Sequence, residues 1–317
     1  MKLDPIRLRL PNLLDLLLVS DPAQIQWLNQ HEHVTRALDP TQGVLHRVLH
    51  RRMRDDLGFR GELLPVFRAR GDVRRAQRHK ELEVELRELR GMPGKERDLI
   101  SSYVSGQKEV REIGEAVQQW CGQLFSGRYK STLETYEAGK LLAGWMSAPP
   151  WKTIHARLSG RLNRAKAVLE AAAEHDLFCV HATSIGMENL ARTVRKLRKA
   201  ARDEDQQLLS ADAVIREYLS VPPAVVRGCT HDIDAPFLPS PLTPRTLVVL
   251  LVGRAYVASG DLDVAFLSDS WSACPARKVV PEMLRAVWHA AHYDEAEAQR
   301  LMSSINSWSR LWHRAVS

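Results

Sequence analysis

Strand-like segments stand at both ends of a long helical stretch, and this arrangement constrains the fold more than any other feature of the chain. Residues 6–19 carry apolar side chains in alternation with arginines, which is the period of a β-strand. Residues 225–252 hold a second group, which ends in a continuous run of leucine and valine. Because neither group is large enough to form a stable sheet alone, we expect strands from 6–19 to pair with strands from 225–252.

The residues between the two groups predict a mainly α fold with a minor β-sheet. Asp21 followed by Pro22 is a typical N-cap and first turn, so a helix is expected to begin there. Residues 155–173 and 176–202 are each patterned as one helix. Since the sheet would draw on both ends of the chain, we expect residues 1–317 to form one interleaved domain.

The charge of the chain restricts its partners. The 317 residues carry 45 Lys and Arg against 38 Asp and Glu, a net charge of +7, which leaves nucleic acid, acidic proteins or anionic cofactors as partners. Basic runs stand at 68–80 and 192–202, but aromatic residues make up only 6% of the chain and do not interleave with them. Nucleic acid is therefore not the expected partner. We expect Arg192 to Arg202 to form an exposed helical face that docks an acidic protein.

The N-terminus and the cysteines predict a cytoplasmic protein with free thiols. No apolar run approaches the ~20 residues of a membrane span, so no membrane association is expected. The first residues also lack the apolar region and cleavage site of a signal peptide. The cysteines are far apart, which excludes a CxxC zinc ribbon or a thioredoxin-type site; they are Cys121, Cys179, Cys229 and Cys274.

Several motifs of nucleotide-binding, hydrolytic and metal-dependent proteins are absent. The chain has no P-loop, no GxGxxG after a strand, no GxSxG, no HExxH and no EF-hand loop. This excludes the protein classes that those motifs define.

Cys274 is the cysteine with the most suggestive surroundings. Pro275 fits the first position of a helix, which would place Cys274 at the N-cap. The positive end of the helix dipole, with Arg277 nearby, would favour a thiolate, the form that a soft metal or haem iron needs. An ordinary free cysteine remains the alternative on this stretch alone. Cys121, by contrast, lies on an apolar helical stripe and is expected in the core.

Gly186 lies in the middle of a predicted helix, where a glycine costs about 1 kcal/mol relative to alanine. One explanation is that a large group packs against the backbone at this point. Glu188 and Asn189 follow directly and would place an acid and an amide beside that opening. A plain helix with a packing glycine is the alternative.

Taken in order, these segments resemble the cytochrome P-450 superfamily, the haem-thiolate monooxygenases, in a shortened and divergent form. The segment Val73–Lys80 resembles the family's C helix, and Ile185–Asn189 resembles its [AG]-G-x-[DE]-T motif with Asn in place of Thr. Glu217 with Pro222-Pro223 resembles the E-x-x-R helix, although Ser220 replaces the arginine. The glycine-rich loop before the family's cysteine is absent, while the order of cysteine and helix is kept at Cys274.

This resemblance implies a reduced cytochrome P-450-like fold and a haem-dependent oxidoreductase, of monooxygenase type, acting on a small organic molecule. Cys274 would be the axial iron ligand, and Arg78 and Arg227 would contact the haem propionates. Gly186 would lie against the haem, with Glu188 and Asn189 as the distal pair. An acidic ferredoxin-type protein would be the redox partner.

Two alternatives from other classes stay open. Loss of the loop glycines, the E-x-x-R arginine and the distal threonine fits a haem-free relative that works as an accessory or binding protein. A basic helical nucleic-acid binder is the weaker alternative.

Overall fold

The strands of the small sheet come from both ends of the chain. The computed structural model describes residues 4–10, 14–88, 94–110, 113–144, 150–207, 209–268 and 270–292. Its strands are β1 (Ile6–Leu10), β2 (Leu14–Val19), β3 (Val34–Thr35), β4 (Gly58–Phe59), β5 (Glu62–Leu63), β6 (Val225–Cys229) and β7 (Leu247–Leu250). Within these described residues the main sheet has the order β1-β2-β7-β6-β3, and β4 pairs with β5 in a separate hairpin.

The register of the main sheet confirms the predicted long-range pairing. Strand β2 runs parallel to β7, with Leu16 opposite Leu247 and Val19 opposite Leu250. Strands β1 and β6 are antiparallel to β2 and β7, respectively. Leu247, Val248 and Leu250 are buried, as expected of a strand that is covered on both faces. The organisation of residues 1–317 as one domain stays a prediction.

Helices make up most of the rest of the described chain. In chain order they are α1 (Pro22–Gln30), α2 (Val44–Leu57), α3 (Val73–Glu88), α4 (Gly94–Val104), α5 (Ile113–Gln123), α6 (Leu133–Ala143), α7 (Pro150–Leu158), α8 (Arg161–Ala172), α9 (Leu177–His181), α10 (Met187–Ala200), α11 (Glu204–Gln207), α12 (Ala211–Tyr218), α13 (Val252–Ser259), α14 (Leu262–Phe266) and α15 (Val279–His292). Short 3₁₀ turns cover Pro40–Gln42 and Pro65–Phe67, and a π-helical turn, Ala182–Gly186, joins α9 to α10.

Local chemistry explains two helix boundaries: the start of α1, which was predicted, and the break between α7 and α8, which was not. Asp21 caps α1 by accepting a hydrogen bond from the Gln24 amide at 3.0 Å, as expected. The single helix predicted over 155–173 is wrong, because the chain turns between α7 and α8. Gly160 adopts a left-handed conformation there, with φ of 71°, which glycine reaches without steric cost.

The segment predicted as one helix over 176–202 follows a continuous path, but its middle is widened. We call α9, the π turn and α10 together the central helix. Thr183 Oγ1 donates to the Cys179 carbonyl at 2.8 Å, and Ser184 Oγ donates to the Val180 carbonyl at 2.6 Å. Such side-chain bonds to carbonyls one turn back compete with the backbone hydrogen bonds and bend helices. They therefore stabilise the π turn, which holds one residue more than a turn of α-helix.

The predicted apolar stripe of α5 lies in the core. Val117, Trp120, Cys121 and the adjoining Leu124 are all buried, and they pack with buried residues of α10, α12 and α15. A second buried cluster joins α2, α6 and α8 to the central helix, and a third joins the sheet to α1 and α13. The sheet and the helical body therefore meet along α1, α2 and the central helix.

The end of α12 is held without the charge pair that the E-x-x-R pattern would supply. Glu217 is exposed, and the Ser220 amide donates instead to Thr193 Oγ1 on the central helix at 2.8 Å. The Tyr256 hydroxyl donates to the Arg216 carbonyl at 2.6 Å. Neutral hydrogen bonds thus anchor α12 to α10 and α13.

Asp15 ties β1 to the chain before β7, and its replacement by asparagine should weaken the sheet. Its carboxylate accepts from Arg7 Nε at 2.9 Å, from Arg7 Nη2 at 2.8 Å and from Thr246 Oγ1 at 2.7 Å. We expect Asp15→Asn to lower the free energy of unfolding by about 1–3 kcal/mol, the effect of breaking charge-assisted bonds. Urea unfolding at pH 7 measures this loss.

The Asp15→Asn variant should also change how the free energy of unfolding depends on pH. Burial raises the pKa of Asp15, but the bonds from Arg7 and Thr246 outweigh it and hold the pKa below its ordinary value. The contribution of Asp15 is therefore complete above about pH 3.9 and is lost as the pH falls through the lowered pKa. Below pH 4 wild type should lose the contribution of Asp15 to the free energy of unfolding, and Asp15→Asn, which lacks it already, should not. The exposed Asp234 gives a control. If Asp15→Asn and Asp234→Asn lowered the free energy of unfolding at pH 7 equally, the prediction would be contradicted.

Candidate functional site

Three buried arginines meet where the sheet adjoins the helical body. Arg36 follows β3, Arg75 lies on α3 and Arg227 lies on β6, with relative exposures of 8%, 4% and 2%. We call them the arginine cluster. None of the three forms an ion pair with any residue that the structure describes. Burial, and then the charges of Arg227 and Arg75, hold the pKa of Arg36 well below its ordinary value, so the three guanidinium groups are close enough to repel each other.

The contacts of the arginine cluster are with neutral oxygens. Arg227 donates to Asn29 Oδ1 from Nε at 3.1 Å and from Nη2 at 2.8 Å. Arg36 donates to the Ser272 carbonyl, and Arg75 donates to the Trp271 carbonyl at 3.1 Å. Burial, followed by the charge of Arg75, lowers the pKa of Arg227 to about 9. Three cations thus share a buried region with no carboxylate at ion-pair distance among the described residues, although the charge of Asp72 acts on Arg75.

Trp271 gives this region an aromatic wall. The guanidinium carbons of Arg75, Arg36 and Arg70 lie 4.9, 5.3 and 5.9 Å from the centre of its ring, within the range of cation–π attraction. The ring nitrogen of Trp271 is buried and has no hydrogen-bond partner in the part of the chain that the structure describes. The ring therefore stabilises the arginines without neutralising them.

Three buried nitrogens near the arginine cluster have no hydrogen-bond partner among the described residues. Besides Trp271 Nε1 they include Arg36 Nε and His181 Nδ1, and the charge of Arg36 acts on His181. A buried donor or acceptor without a partner is costly and rare. Three of them beside unpaired cations indicate a binding site for an anionic molecule with hydrogen-bonding groups.

Cys274 borders this site, but not as the N-cap that the sequence predicted. Helix α15 begins at Val279, and the intervening residues 275–278 form turns. The Cys274 amide donates to the Phe266 carbonyl at 2.9 Å, which folds the segment back on α14. Cys274 therefore lies about one turn before the helix, outside the reach of its dipole.

The surroundings of the Cys274 thiol do not favour the thiolate. Burial raises its pKa above the ordinary value, and the opposing effects of the Ala276 amide, Arg277 and Arg36 are smaller. The expected dipole-stabilised thiolate is thus corrected to a half-buried thiol beside two cations. The other cysteines are all free and buried. Burial raises the pKa values of Cys179 and Cys229 to about 12.

The structure places Arg78 away from the arginine cluster, whereas Arg227 belongs to it. Arg78 Nη2 binds Asp176 at 2.9 Å and Arg78 Nη1 binds Glu85 at 2.8 Å. Arg75 and His79 occupy the face of α3 that reaches the Cys274 segment, since His79 Nε2 lies 2.8 Å from the Ala273 carbonyl. Their spacing of four residues marks one helix face, which is the sequence signal that could have identified them.

No described side chain packs closely on the backbone at Gly186. A Cβ atom there would meet one atom within 4 Å, the His181 carbonyl oxygen at 3.7 Å, so the position is open. The close approach to the central helix occurs at Gly139 of α6, where a Cβ would lie 2.6 Å from the Thr183 carbonyl oxygen. Gln118, fully buried, donates to the same oxygen at 2.9 Å.

The predicted distal pair, Glu188 and Asn189, follows Gly186 by two and three residues at the start of α10. Glu188 accepts a hydrogen bond from Arg192 Nε at 2.9 Å along α10. Asn189 is half-buried, and its carbonyl accepts from Thr193 Oγ1 at 3.1 Å. The residue of the central helix on which the charge of the arginine cluster acts is His181. Burial, with the charge of Arg36, lowers its pKa to about 4.

The basic face predicted over Arg192 to Arg202 is smaller than expected. Arg198 is buried, forms a close bidentate pair with Glu109 and lies over the Tyr103 ring at 4.3 Å. Arg195 is half-buried and donates to the Tyr136 hydroxyl. The exposed members are Arg192, Lys196, Lys199 and Arg202. The expectation that the whole run is exposed is corrected on this point.

Within the part of the chain that the structure describes, no group of three or more His, Cys, Asp or Glu side chains is arranged to hold a metal ion. None of the described helices is both long and apolar enough to cross a bilayer.

Comparison with known proteins identifies the fold. No family model matches the sequence, and no curated protein matches it. The structure is similar to the cytochrome P450 CYP164A2 of Mycobacterium smegmatis with econazole bound, at 16% identity and a TM-score of 0.54 over 90% of this chain and 86% of that chain.

Two further solved structures give the same result. Cytochrome P450EX alpha (CYP152N1) with myristic acid matches at 13% identity and a TM-score of 0.55, over 90% of this chain and 83% of that chain. P450 RauA (CYP1050A1), complexed with a biosynthetic intermediate of aurachin RE, matches at 13% identity and a TM-score of 0.51, over 87% and 83%. The chain has a cytochrome P450-like fold, mainly α with a minor β-sheet.

Proposed function

We propose that this protein is a haem-binding oxidoreductase that oxidises a small organic molecule in the manner of the cytochromes P450. The observation that carries the proposal is the arginine cluster, buried beside Cys274 with no carboxylate at ion-pair distance among the described residues. Buried charges are found paired in folded proteins. The site therefore favours a ligand that brings negative charge to these arginines.

Haem meets this requirement with the residues present. Its two propionates are carboxylates, which guanidinium groups bind strongly and in two-point geometry. Arg36, Arg75 and Arg227 would hold the propionates, and Cys274 would bind the iron. The thiol must lose its proton on binding, which Arg277 and Arg36 favour. A thiolate-bound haem supplies oxygen activation.

The residues of the central helix have separate parts in the proposal. The haem ring would lie against the central helix at Gly186, where a Cβ atom would meet only the His181 carbonyl oxygen within 4 Å. Glu188 would hold a proton at its carboxylate once it parts from Arg192, and the Asn189 amide would orient a water molecule. The small-molecule substrate would bind on this side of the helix.

Electrons would come from an acidic redox protein of the ferredoxin type. The exposed cations of α10 and its C-terminal turn, with the net charge of +7, give the surface that such a partner requires. Arg198 has no part in this surface, because Glu109 already pairs with it.

A haem-free binding or accessory protein is the second candidate, favoured by one observation. Asn29, Ser270 and Ser272 form a hydrogen-bonded group at the arginine cluster: Ser272 Oγ donates to Asn29 Oδ1 at 3.0 Å and lies 3.0 Å from Ser270 Oγ. The serines stand in the segment where the family has loop glycines. Such a group suits a small anion such as phosphate.

Titration of the purified protein with haemin distinguishes the two candidates. We expect one haem per chain, a Soret band and a thiolate-type ferrous–CO spectrum. Cys274→Ser should remove that spectrum and weaken haem binding by about tenfold or more, since loss of even an outer partner of a metal ligand costs 10–100-fold. Cys229→Ala is the matched control and should leave both unchanged. A colourless protein whose melting temperature rises with phosphate would overturn the proposal in favour of the second candidate.

A further inference from the structure

We propose that helix α7 binds the surface of an anionic lipid bilayer, lying in the plane of the headgroups with one apolar face inserted. The sequence expectation of no membrane association considered only segments that span a bilayer. An interfacial helix follows a different pattern, an apolar face that carries tryptophan with surroundings rich in Lys and Arg. The inference does not require haem, so it goes beyond the proposed function and is tested apart from it.

Three large apolar side chains of α7 are exposed. Trp151, Ile154 and Leu158 have relative exposures of 64%, 52% and 83%, and their spacing of three and four residues places them on one face of the helix. Ala156, on the opposite face, is buried. The helix therefore packs on the protein through a small residue and presents its large apolar residues to solvent, which reverses the usual arrangement of a surface helix.

An ion pair fixes this orientation of α7. Arg157 donates from Nη1 to Asp55 Oδ2 at 3.1 Å and from Nη2 to Asp56 Oδ1 at 2.6 Å. Both aspartates lie in the last turn of α2, and Asp56 is fully buried. Turning the apolar face of α7 inward would break these bonds and leave a buried carboxylate with a weaker partner, which is costly.

The chain around the apolar face is basic. Between Glu137 and Glu170 the sequence has no Asp or Glu, but it has six Lys and Arg. Arg161 and Arg164, which follow Leu158 by three and six residues, are exposed and form no ion pair with any residue that the structure describes. Three residues span at most about 11 Å, and the Debye length at physiological salt is about 8 Å. An anionic surface that touches Leu158 is therefore close enough to attract Arg161.

These features together favour a bilayer over other partners. The phosphate backbone of a nucleic acid would use the arginines but would leave Ile154 and Leu158 in water. Two copies of the chain meeting at this face would bring like charges together, because a two-fold contact pairs the same surface on both subunits. A bilayer with acidic headgroups takes up apolar side chains and also attracts each nearby Lys or Arg, by about fivefold in affinity.

Sedimentation of the purified protein with lipid vesicles tests the inference. We expect binding to vesicles of phosphatidylcholine with phosphatidylglycerol and weak binding to phosphatidylcholine alone. High salt should weaken the binding to the anionic vesicles, because it screens exposed charges. Tryptophan emission should shift to the blue on binding, and Trp151→Phe should lose most of this shift while it still binds.

Two pairs of substitutions separate the apolar and the charged contributions. Ile154→Ser with Leu158→Ser should weaken binding to the anionic vesicles by about tenfold or more, since large apolar side chains gain free energy when they leave water. Arg161→Gln with Arg164→Gln should weaken it by about fivefold per arginine and leave binding to phosphatidylcholine unchanged. All four side chains are exposed, so both variants should unfold at the wild-type temperature.

Arg254→Gln and Val257→Ser are the matched controls. Arg254 is exposed and Val257 is 85% exposed, one turn apart on α13, so these changes should leave vesicle binding as in wild type. The inference is overturned if wild type does not bind the anionic vesicles, or if either pair of substitutions leaves the binding unchanged. It also fails if wild type is a dimer that Ile154→Ser with Leu158→Ser converts to a monomer of equal vesicle affinity. A protein that binds vesicles but no haem would overturn the proposed function alone.

Discussion

Replacement of Arg227 by methionine should weaken haem binding by about 10- to 100-fold, because a buried charge-assisted hydrogen bond contributes about 1.5–3 kcal/mol and each 1.4 kcal/mol is a factor of ten. Arg227 is 2% exposed and its donors reach only neutral oxygens of Asn29, Ser272 and Val226. A propionate would give this guanidinium the negative partner that it lacks among the described residues.

The haem-free form of the same variant should respond differently. Arg227 stands near Arg75, whose charge helps to lower the pKa of Arg227. Removing one of three unpaired buried cations relieves repulsion, and methionine fills a similar volume. We therefore expect the free energy of unfolding without haem to fall by less than about 1 kcal/mol or to rise. Urea unfolding with and without haem measures both effects on one protein.

Arg75→Met and Arg78→Met complete this experiment. Arg75 belongs to the arginine cluster, so its replacement should resemble that of Arg227. Arg78 has its carboxylate partners in Asp176 and Glu85, so Arg78→Met should leave haem affinity unchanged. Weakened binding in Arg78→Met, with unchanged binding in Arg227→Met, would show that the propionates lie where the sequence pattern placed them and not at the arginine cluster.

The second large effect is expected at Gly139, where α6 touches the central helix. In Gly139→Ala the new Cβ would lie 2.6 Å from the Thr183 carbonyl oxygen and 2.9 Å from Gln118 Nε2. Both atoms belong to one hydrogen bond, in which Gln118 Nε2 donates to the Thr183 carbonyl of the π turn. Overpacking and the strain on this bond should lower the free energy of unfolding by about 3 kcal/mol, which exceeds the gain of about 1 kcal/mol in helix propensity.

Gly94 provides the control for this prediction. It begins α4, and a Cβ there would meet nothing within 4 Å. Gly94→Ala should therefore be neutral or stabilise the protein by up to about 1 kcal/mol. Thermal or urea unfolding of both variants gives the comparison, and equal stabilities of Gly139→Ala and Gly94→Ala would mean that α6 moves away from the central helix at little cost.

The elements of the fold could largely be predicted from local sequence patterns. The alternation at 6–19 and the apolar run at Leu247–Leu250 are signals of a few residues, and their partnership follows because isolated hairpins are marginal in water. The break at Gly160 was missed because a glycine within a helical pattern does not reveal its φ. The widened turn at Ala182–Gly186 was missed because it depends on side-chain bonds and on Gln118 from α5.

The candidate site could be predicted only in part. Arg227 and Cys274 were selected by their order along the chain, and the structure brings both to the arginine cluster. Arg78 was selected from a run of arginines in which the sequence does not distinguish the residues that face inward. Arg36, Trp271 and His181 carry no local motif, since each is significant only through neighbours that are distant in the sequence.

The sequence by itself determined the helical body and the strands that close it, and it singled out Cys274 as a candidate. These features depend on periodicity, capping and residue order, which act over a few residues. Only the tertiary structure decided that Cys274 precedes α15 by a turn, that Arg75 rather than Arg78 faces it, and that the charge of Arg36 acts on His181. Burial, the loss of counter-ions and the proximity of unpaired nitrogens arise when distant segments pack together, because each depends on the solvent that the other segments exclude.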